Sequence, residues 1–240
     1  MQKKQIKYIF AFILTIFIFF LQSIFSRIGW WIASRFDYSL IDNDGLFMMV
    51  SVHHIVQALL ALLVIFIFYK IKDNVVFKLK LKFDIVGIKY TMFFCVAIFI
   101  YYIIVYIIGS KLNSIAVYDY ELNTANVVGT LNFQLLLSGT SEEIIFRSLP
   151  IVLYKNVINS NKKSSDVLAV VLTSVLFAIA HFNWKLPISI QWFQIVYAFV
   201  LGLTFGFVFI KSKSVIYPMI MHGMSNFISV GICYLYMSLV

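Results

Sequence analysis

A chain of 240 residues that is 62% hydrophobic, 18% aromatic and only 12% charged lies far from the soluble norm. The balance excludes a soluble globular domain, and long apolar runs without period-two alternation exclude a membrane barrel, which leaves an all-α, polytopic transmembrane helical bundle. The net charge of +9 needs no nucleic acid to explain it: no nucleic-acid-binding motif is present, and loop topology beside anionic lipid accounts for the excess.

Stretches able to span a hydrocarbon core, about 20 residues each, predict about seven helices at 6–25, 46–69, 85–108, 129–157, 166–182, 188–210 and 215–238. The opening MQKKQIK leads into the first. The bulky LQSIFSRIGWW that follows offers no small-x-small cleavage site, so this run is read as a retained helix. The second helix holds His53 and His54; adjacent residues point in different directions, so both cannot easily serve one site, and they are read as polar packing or a partner to the bundle, the alternative being that one of them lines the substrate path. The fourth is the least apolar and the fifth is short. Lys3, Lys4 and Lys7, then Lys70, Lys72, Lys78, Lys80 and Lys82, then Lys155, Lys162 and Lys163, then Lys211 and Lys213 all fall on one side if helices alternate. Asp37, Asp42, Asp44, Asp119 and Glu121 fall on the other. The positive-inside rule therefore predicts a multi-pass cell-membrane protein with a cytoplasmic N-terminus. Trp30, Trp31, Trp184 and Trp192 sit near predicted helix ends, as interfacial anchors do. Cys95 and Cys233 fall inside apolar spans and read as packing residues. No repeat, low-complexity tract or long linker divides the chain, so 1–120 and 121–240 form one integrated membrane domain.

Residues 138–150, SGTSEEIIFRSLP, place three charges inside an apolar stretch. Ionisable groups in a spanning helix are costly and mark functional sites by default. Glu143 and Arg147 are four apart with the acid first, the favoured ion-pair order. Glu142 lies about 100° round the helix and stays unpaired. A structural alternative is a capping box, Thr140 to Glu143, starting a helix broken at SGTS. Two further elements are FAIAHFNW at 177–184, with Phe177 and His181 on one face, and MHGMSN at 221–226, with His222 and Asn226 on one face. Alone, the first suits an interfacial hydrogen bonder and the second interhelical polar glue.

Together, EExxxR at 142–147, FxxxH at 177–181 and HxxxN at 222–226 resemble the CPBP intramembrane protease family, which comprises the CAAX prenyl endoproteases and the bacterial Abi or bacteriocin-immunity proteins. The motifs occupy only the C-terminal half; the helices before residue 120 match none, and substrate choice is placed there. The resemblance implies an intramembrane endopeptidase in which Glu142 is the general base for water and His181 holds or polarises that water. It makes His222 and Asn226 oxyanion donors, Glu143 and Arg147 support that orients the first glutamate, and Phe177 packing against His181. Family members are often described as metalloproteases, and Glu142, His181 and His222 could give zinc three ligands. With no HExxH helix and the two histidines on different helices, the metal-free mechanism is favoured. The expected partners are a membrane-associated peptide or protein substrate and the lipid bilayer, and the expected setting is bacterial peptide processing (a bacteriocin or pheromone) or self-immunity. Rival readings are an ion- or proton-coupled transporter and a non-enzymatic membrane scaffold or immunity protein.

Overall fold

The computed structural model describes residues 2–72, 80–81, 83–158, 163–182 and 191–239. Lys78, Lys82, Lys162 and Trp184 lie outside them. Among the described residues every regular element is helical: α1 (Gln2–Ala33), α2 (Met48–Ile71), α3 (Ile85–Lys111), α4 (Thr124–Asn132), α5 (Gly139–Glu143), α6 (Leu149–Ile158), α7 (Lys163–Ala180), α8 (Trp192–Ser212) and α9 (Ile216–Met237). α4, α5 and α6 are one unbroken run, joined by wider π-helical turns at Phe133–Ser138 and Ile144–Ser148. Counted so, the bundle has the seven helices expected.

The lengths differ from expectation in an instructive way. α1 continues to Ala33 because Gln22, Ser23, Ser26 and Arg27, which end its apolar run in the sequence, line an internal cavity. The capping-box reading fails: Thr140 lies inside α5, and Ser138 before it is already helical, with φ −55° and ψ −62°, and makes no capping hydrogen bond. Chain passes through SGTS without a break.

Among the described residues five helices are long and apolar enough to cross a membrane: α1, α2, α3, α7 and α8. The two runs outside that set, 124–158 and α9, are those that carry the acids, Arg147, His222 and Asn226. α3 shows the opposite extreme. Phe93 (76% exposed), Val96 and Ile107 stand outward, a surface that water would not tolerate and lipid would.

Lysines gather at one end of the bundle. Lys7 Nζ donates to the Ile158 carbonyl at 2.9 Å and Lys72 Nζ to the Asn156 carbonyl at 2.6 Å, closing the free C-terminal carbonyls of α6. Lys155 pairs with Asp166 at 2.5 Å. The other end is acidic. Asp42 accepts from the backbone N–H groups of Leu46, Phe47 and Met48 at the start of α2, and Asn126 donates to Asp44 at 2.6 Å and to the Glu121 carbonyl at 2.8 Å. This segregation is the one that alternating helices require. Trp30, Trp31 and Trp192 are exposed near helix ends, and neither Cys95 nor Cys233 forms a disulfide.

Two apolar cores hold the bundle. One joins α1, α2, α6 and α7 through Phe25, Ile65, Leu149, Tyr154 and Leu176. The other joins α3, α8 and α9 through Phe94, Phe205, Tyr217 and Met221. Ile144, Ile145 and Phe146 bind the 139–148 segment into the first of these.

Candidate active site

The site begins with two glycines. A Cβ on Gly139 would fall 2.4 Å from the Gly223 nitrogen, and one on Gly223 would fall 2.4 Å from the Leu135 carbonyl oxygen. Only bare backbone allows this crossing. It sets His222 and Asn226, one turn apart on α9, against Ser138, Glu142 and Glu143. The π-helical turns on either side of Gly139–Glu143 are of the kind that re-aims side chains at functional sites, and Gln22 of α1 donates at 3.0 Å to the Ile145 carbonyl in one of them.

Behind the crossing lies a closed ion pair. Glu143 and Arg147 are both wholly buried, with Nη1 to Oε1 at 3.1 Å. The guanidinium sits 4.0 Å over the Phe177 ring and 5.5 Å from the Phe205 ring, so aromatic faces supply much of its solvation. Gly202 leaves room for it, since a Cβ there would come 3.2 Å from Nη2. His222 Nδ1 lies 2.9 Å from the same Glu143 oxygen. An ionised carboxylate only accepts, so the imidazole donates. The expected neutralisation of Glu143 by Arg147 is present. What Glu143 orients, however, is His222; Glu142 is steadied by other groups.

Glu142 is half-buried, and among the described residues no arginine or lysine pairs with it. His222 Nε2 faces its Oε2 at 3.9 Å. Asn226 donates to Ser138 Oγ at 3.0 Å, and Ser138 Oγ in turn donates to Glu142 Oε1 at 3.4 Å. The other face of Glu142 opens into a cavity of about 580 Å³ between α1, α2, the 142–146 segment and α7. His181 lines this cavity too. Its Nδ1–H donates at 2.8 Å to the Phe177 carbonyl, and its ring meets the edge of Phe177 at 4.6 Å, the packing contact expected of that phenylalanine. His222 and Asn226 do not line the cavity. Through Glu143 and Phe177 the structure thus joins five of the seven motif residues, Glu143, Arg147, Phe177, His181 and His222; Ser138 links the other two, Asn226 and Glu142, and Glu142 and His181 line one open space.

Sequence reasoning allowed only one histidine of the opposite wall a place on the substrate path, and only as an alternative. His53 and His54 both line the cavity, with Arg27 and Gln57. His54 Nδ1 lies 2.7 Å from Ser141 Oγ, in the turn that carries Glu142. Trp30 stacks on His53 at 4.1 Å. The signal that could have found this wall is spacing: Gln57 follows His53 by four residues and His54 by three, so one stripe of an otherwise apolar span is polar.

Zinc needs three or more ligands drawn to one point. Among the described residues no three His, Cys, Asp or Glu side chains converge in that way, so Glu142, His181 and His222 as arranged do not fit the ion.

Residues 124–228 match the family model described as type II CAAX prenyl endopeptidase, Rce1-like. The match spans all three motifs and bears out the resemblance read from them. No curated protein and no solved structure matches the chain.

Proposed function

We propose that this chain, whose residues 124–228 match the Rce1-like CAAX prenyl endopeptidase family, is an intramembrane endopeptidase that activates water with Glu142. The observation that supports this is the division between the two acids. Glu143 is spent on Arg147 and His222, while Glu142 keeps an oxygen toward a cavity large enough for a peptide segment. Glu142 takes a proton from water, the oxygen adds to the peptide carbonyl, and the proton passes to the leaving amine as the C–N bond breaks. His181, with Nδ1–H tied to its own helix, presents Nε2 to the same space and polarises the reacting groups. His222 and Asn226, which the resemblance makes oxyanion donors, do not line the cavity; they hold the base through their contacts to Glu142 and Ser138. No step needs a metal.

The substrate is proposed to be a membrane-associated peptide or protein of a bacterium, a bacteriocin or pheromone precursor, cleaved for maturation or self-protection. The lysine-rich end is proposed to be cytoplasmic, which places the N-terminus there as well. A cysteine accessibility probe at Lys163 that reacts only from outside the cell would overturn that orientation.

The test of activity uses purified protein in phosphatidylglycerol–phosphatidylethanolamine vesicles with a proteome-derived peptide library in ¹⁸O water. Wild type should release fragments with one ¹⁸O in the new C-terminal carboxylate. Glu142→Gln should reduce the rate by about 10²–10⁴-fold while eluting and melting like wild type, and chelator dialysis should leave wild type active. No cleavage by wild type, or cleavage unchanged in Glu142→Gln, would remove the peptidase reading and favour a transporter or scaffold.

A further inference from the structure

Arg27 has no task in the mechanism, yet it stands inside the apolar stretch of α1 that is long enough to cross a membrane, Ile6–Ala33. A guanidinium there is costly and marks a partner or a pathway. Among the described residues it is the one lysine or arginine that lines the cavity, as Glu142 is the one carboxylate. It is exposed to that space, and among the described residues no carboxylate forms an ion pair with it. Its depth follows from three side-chain bonds. α1 runs antiparallel to the 124–158 run: Lys7 bonds the Ile158 carbonyl at 2.9 Å, Thr15 the Tyr154 hydroxyl at 2.6 Å and Gln22 the Ile145 carbonyl at 3.0 Å. Each step up α1 is therefore a step back along that run. Arg27, five residues past Gln22, comes level with Thr140, roughly 3 Å along the axis from Glu142. Contacts through α2 agree, since Ser26 meets His53 and the adjacent His54 meets Ser141.

The cavity thus holds an acid and a cation at one depth, on facing walls, unpaired with each other. A base must keep its oxygen free for water, so Glu142 repels a carboxylate on the guest. The guanidinium attracts it, stays charged at any working pH, and matches a carboxylate with two parallel N–H donors. Packed helices stand about 10 Å apart, the reach of about three extended residues. We propose, resting on the peptidase reading, that Arg27 is a specificity-determining residue: it binds a carboxylate of the peptide, a free C-terminus or an acidic side chain, about two or three residues from the bond that Glu142 attacks. The contact is the same before and during the reaction, so its loss should appear in KM and leave kcat nearly untouched. An arginine that only reached for lipid headgroups would be indifferent to the peptide.

The experiment uses full-length protein in phosphatidylcholine vesicles and dansyl-labelled apolar octapeptides made as twins, with a C-terminal carboxylate or amide and with Asp or Asn at one internal position. Glu142→Gln reports binding without cleavage. In that background an acidic peptide should bind about 10–10²-fold more tightly than its neutral twin, and adding Arg27→Gln should erase the difference. Arg27→Lys should keep part of it, because the charge remains and the fork is lost. With Glu142 intact, Arg27→Gln should raise KM for the acidic peptide by the same factor, with kcat within about threefold and the neutral twin unchanged. A preference confined to the C-terminal pair marks a chain end as the source of the acid, and one confined to the Asp pair marks a side chain. Twins that bind alike to wild-type Arg27, or a preference that survives Arg27→Gln, would overturn the proposal. So would binding that is alike for all peptides but that depends, through Arg27, on added phosphatidylglycerol, since the partner is then a lipid phosphate. Cleavage without acid preference removes the Arg27 contact alone; acid-selective binding lost in Arg27→Gln while wild type cleaves nothing keeps that contact and removes the peptidase reading.

Discussion

The cavity has two walls, contributed by opposite halves of the chain, and they are held together differently. On the C-terminal wall most polar groups are locked: Glu143 by Arg147 and His222, Arg147 between Phe177 and Phe205, Ser138 by Asn226. On the α1–α2 wall the bonds are sparser. His53 meets Ser26 at 3.3 Å and Arg27 is exposed to the cavity, whereas Glu143 and Arg147 are sealed wholly inside, their ion pair leaving Glu143 Oε2 and the guanidinium nitrogens without hydrogen-bond partners among the described residues. A rigid wall opposite a looser one is the arrangement expected where one side performs chemistry and the other receives varied guests, since precise placement governs rate and adaptable contacts govern choice.

Breaking the rigid wall should cost most at the buried ion pair. Glu143→Gln leaves the Arg147 charge without its partner in a site closed to water, and the loss should be about 3–5 kcal/mol, read as a lower midpoint in SDS titration of the protein in mixed micelles. Gln still offers an oxygen to His222, so the cost isolates the charge. Adding Arg147→Met should recover part of the stability without recovering full turnover. If Glu143→Gln is as stable as wild type, the two acids are not divided as proposed.

The glycine crossing comes next. Gly139→Ala or Gly223→Ala pushes a methyl into backbone 2.4 Å away, an overpacking cost of about 1–3 kcal/mol. Because the crossing sets the distance from α9 to Ser138 and Glu142, kcat should fall further than stability. Activity that stays within twofold in both variants would mean that α9 does not hold the base.

These two expectations also mark what the sequence could disclose. Glu143 with Arg147, Phe177 with His181 and His222 with Asn226 are each four apart on one helix, a spacing visible in one dimension, and composition alone dictates the helical bundle. The unbroken passage through SGTS is not visible, because π-helical turns have no spacing signature and the serine and threonine there read equally well as a cap. His54 beside Ser141 is not visible either. That contact joins residues 87 apart in sequence and exists only because α2 lies against α5. The polar ending of α1 misled for the same reason: whether Ser26 and Arg27 face water or a cavity is decided by the neighbouring helix.

The smallest expected effect sharpens the comparison from the looser wall. Gln57 is half-buried on α2 and lines the cavity, and among the described residues no hydrogen bond ties its amide to the motif wall. Gln57→Leu keeps the side-chain length and removes the polar head, so stability should move by no more than about 0.5 kcal/mol. What should change is selection. A site that hydrogen-bonds its guest discriminates by leaving its own polar groups unpaired when the wrong guest enters; removing the amide should shift the library peptides that are cleaved toward more apolar residues near the scissile bond. The rate on the best peptide at saturation should stay near that of wild type. If instead Gln57→Leu lowers kcat uniformly across the library and leaves the cleavage pattern unchanged, the α1–α2 wall shares in the chemistry as a whole, and the division of labour between the two walls is wrong.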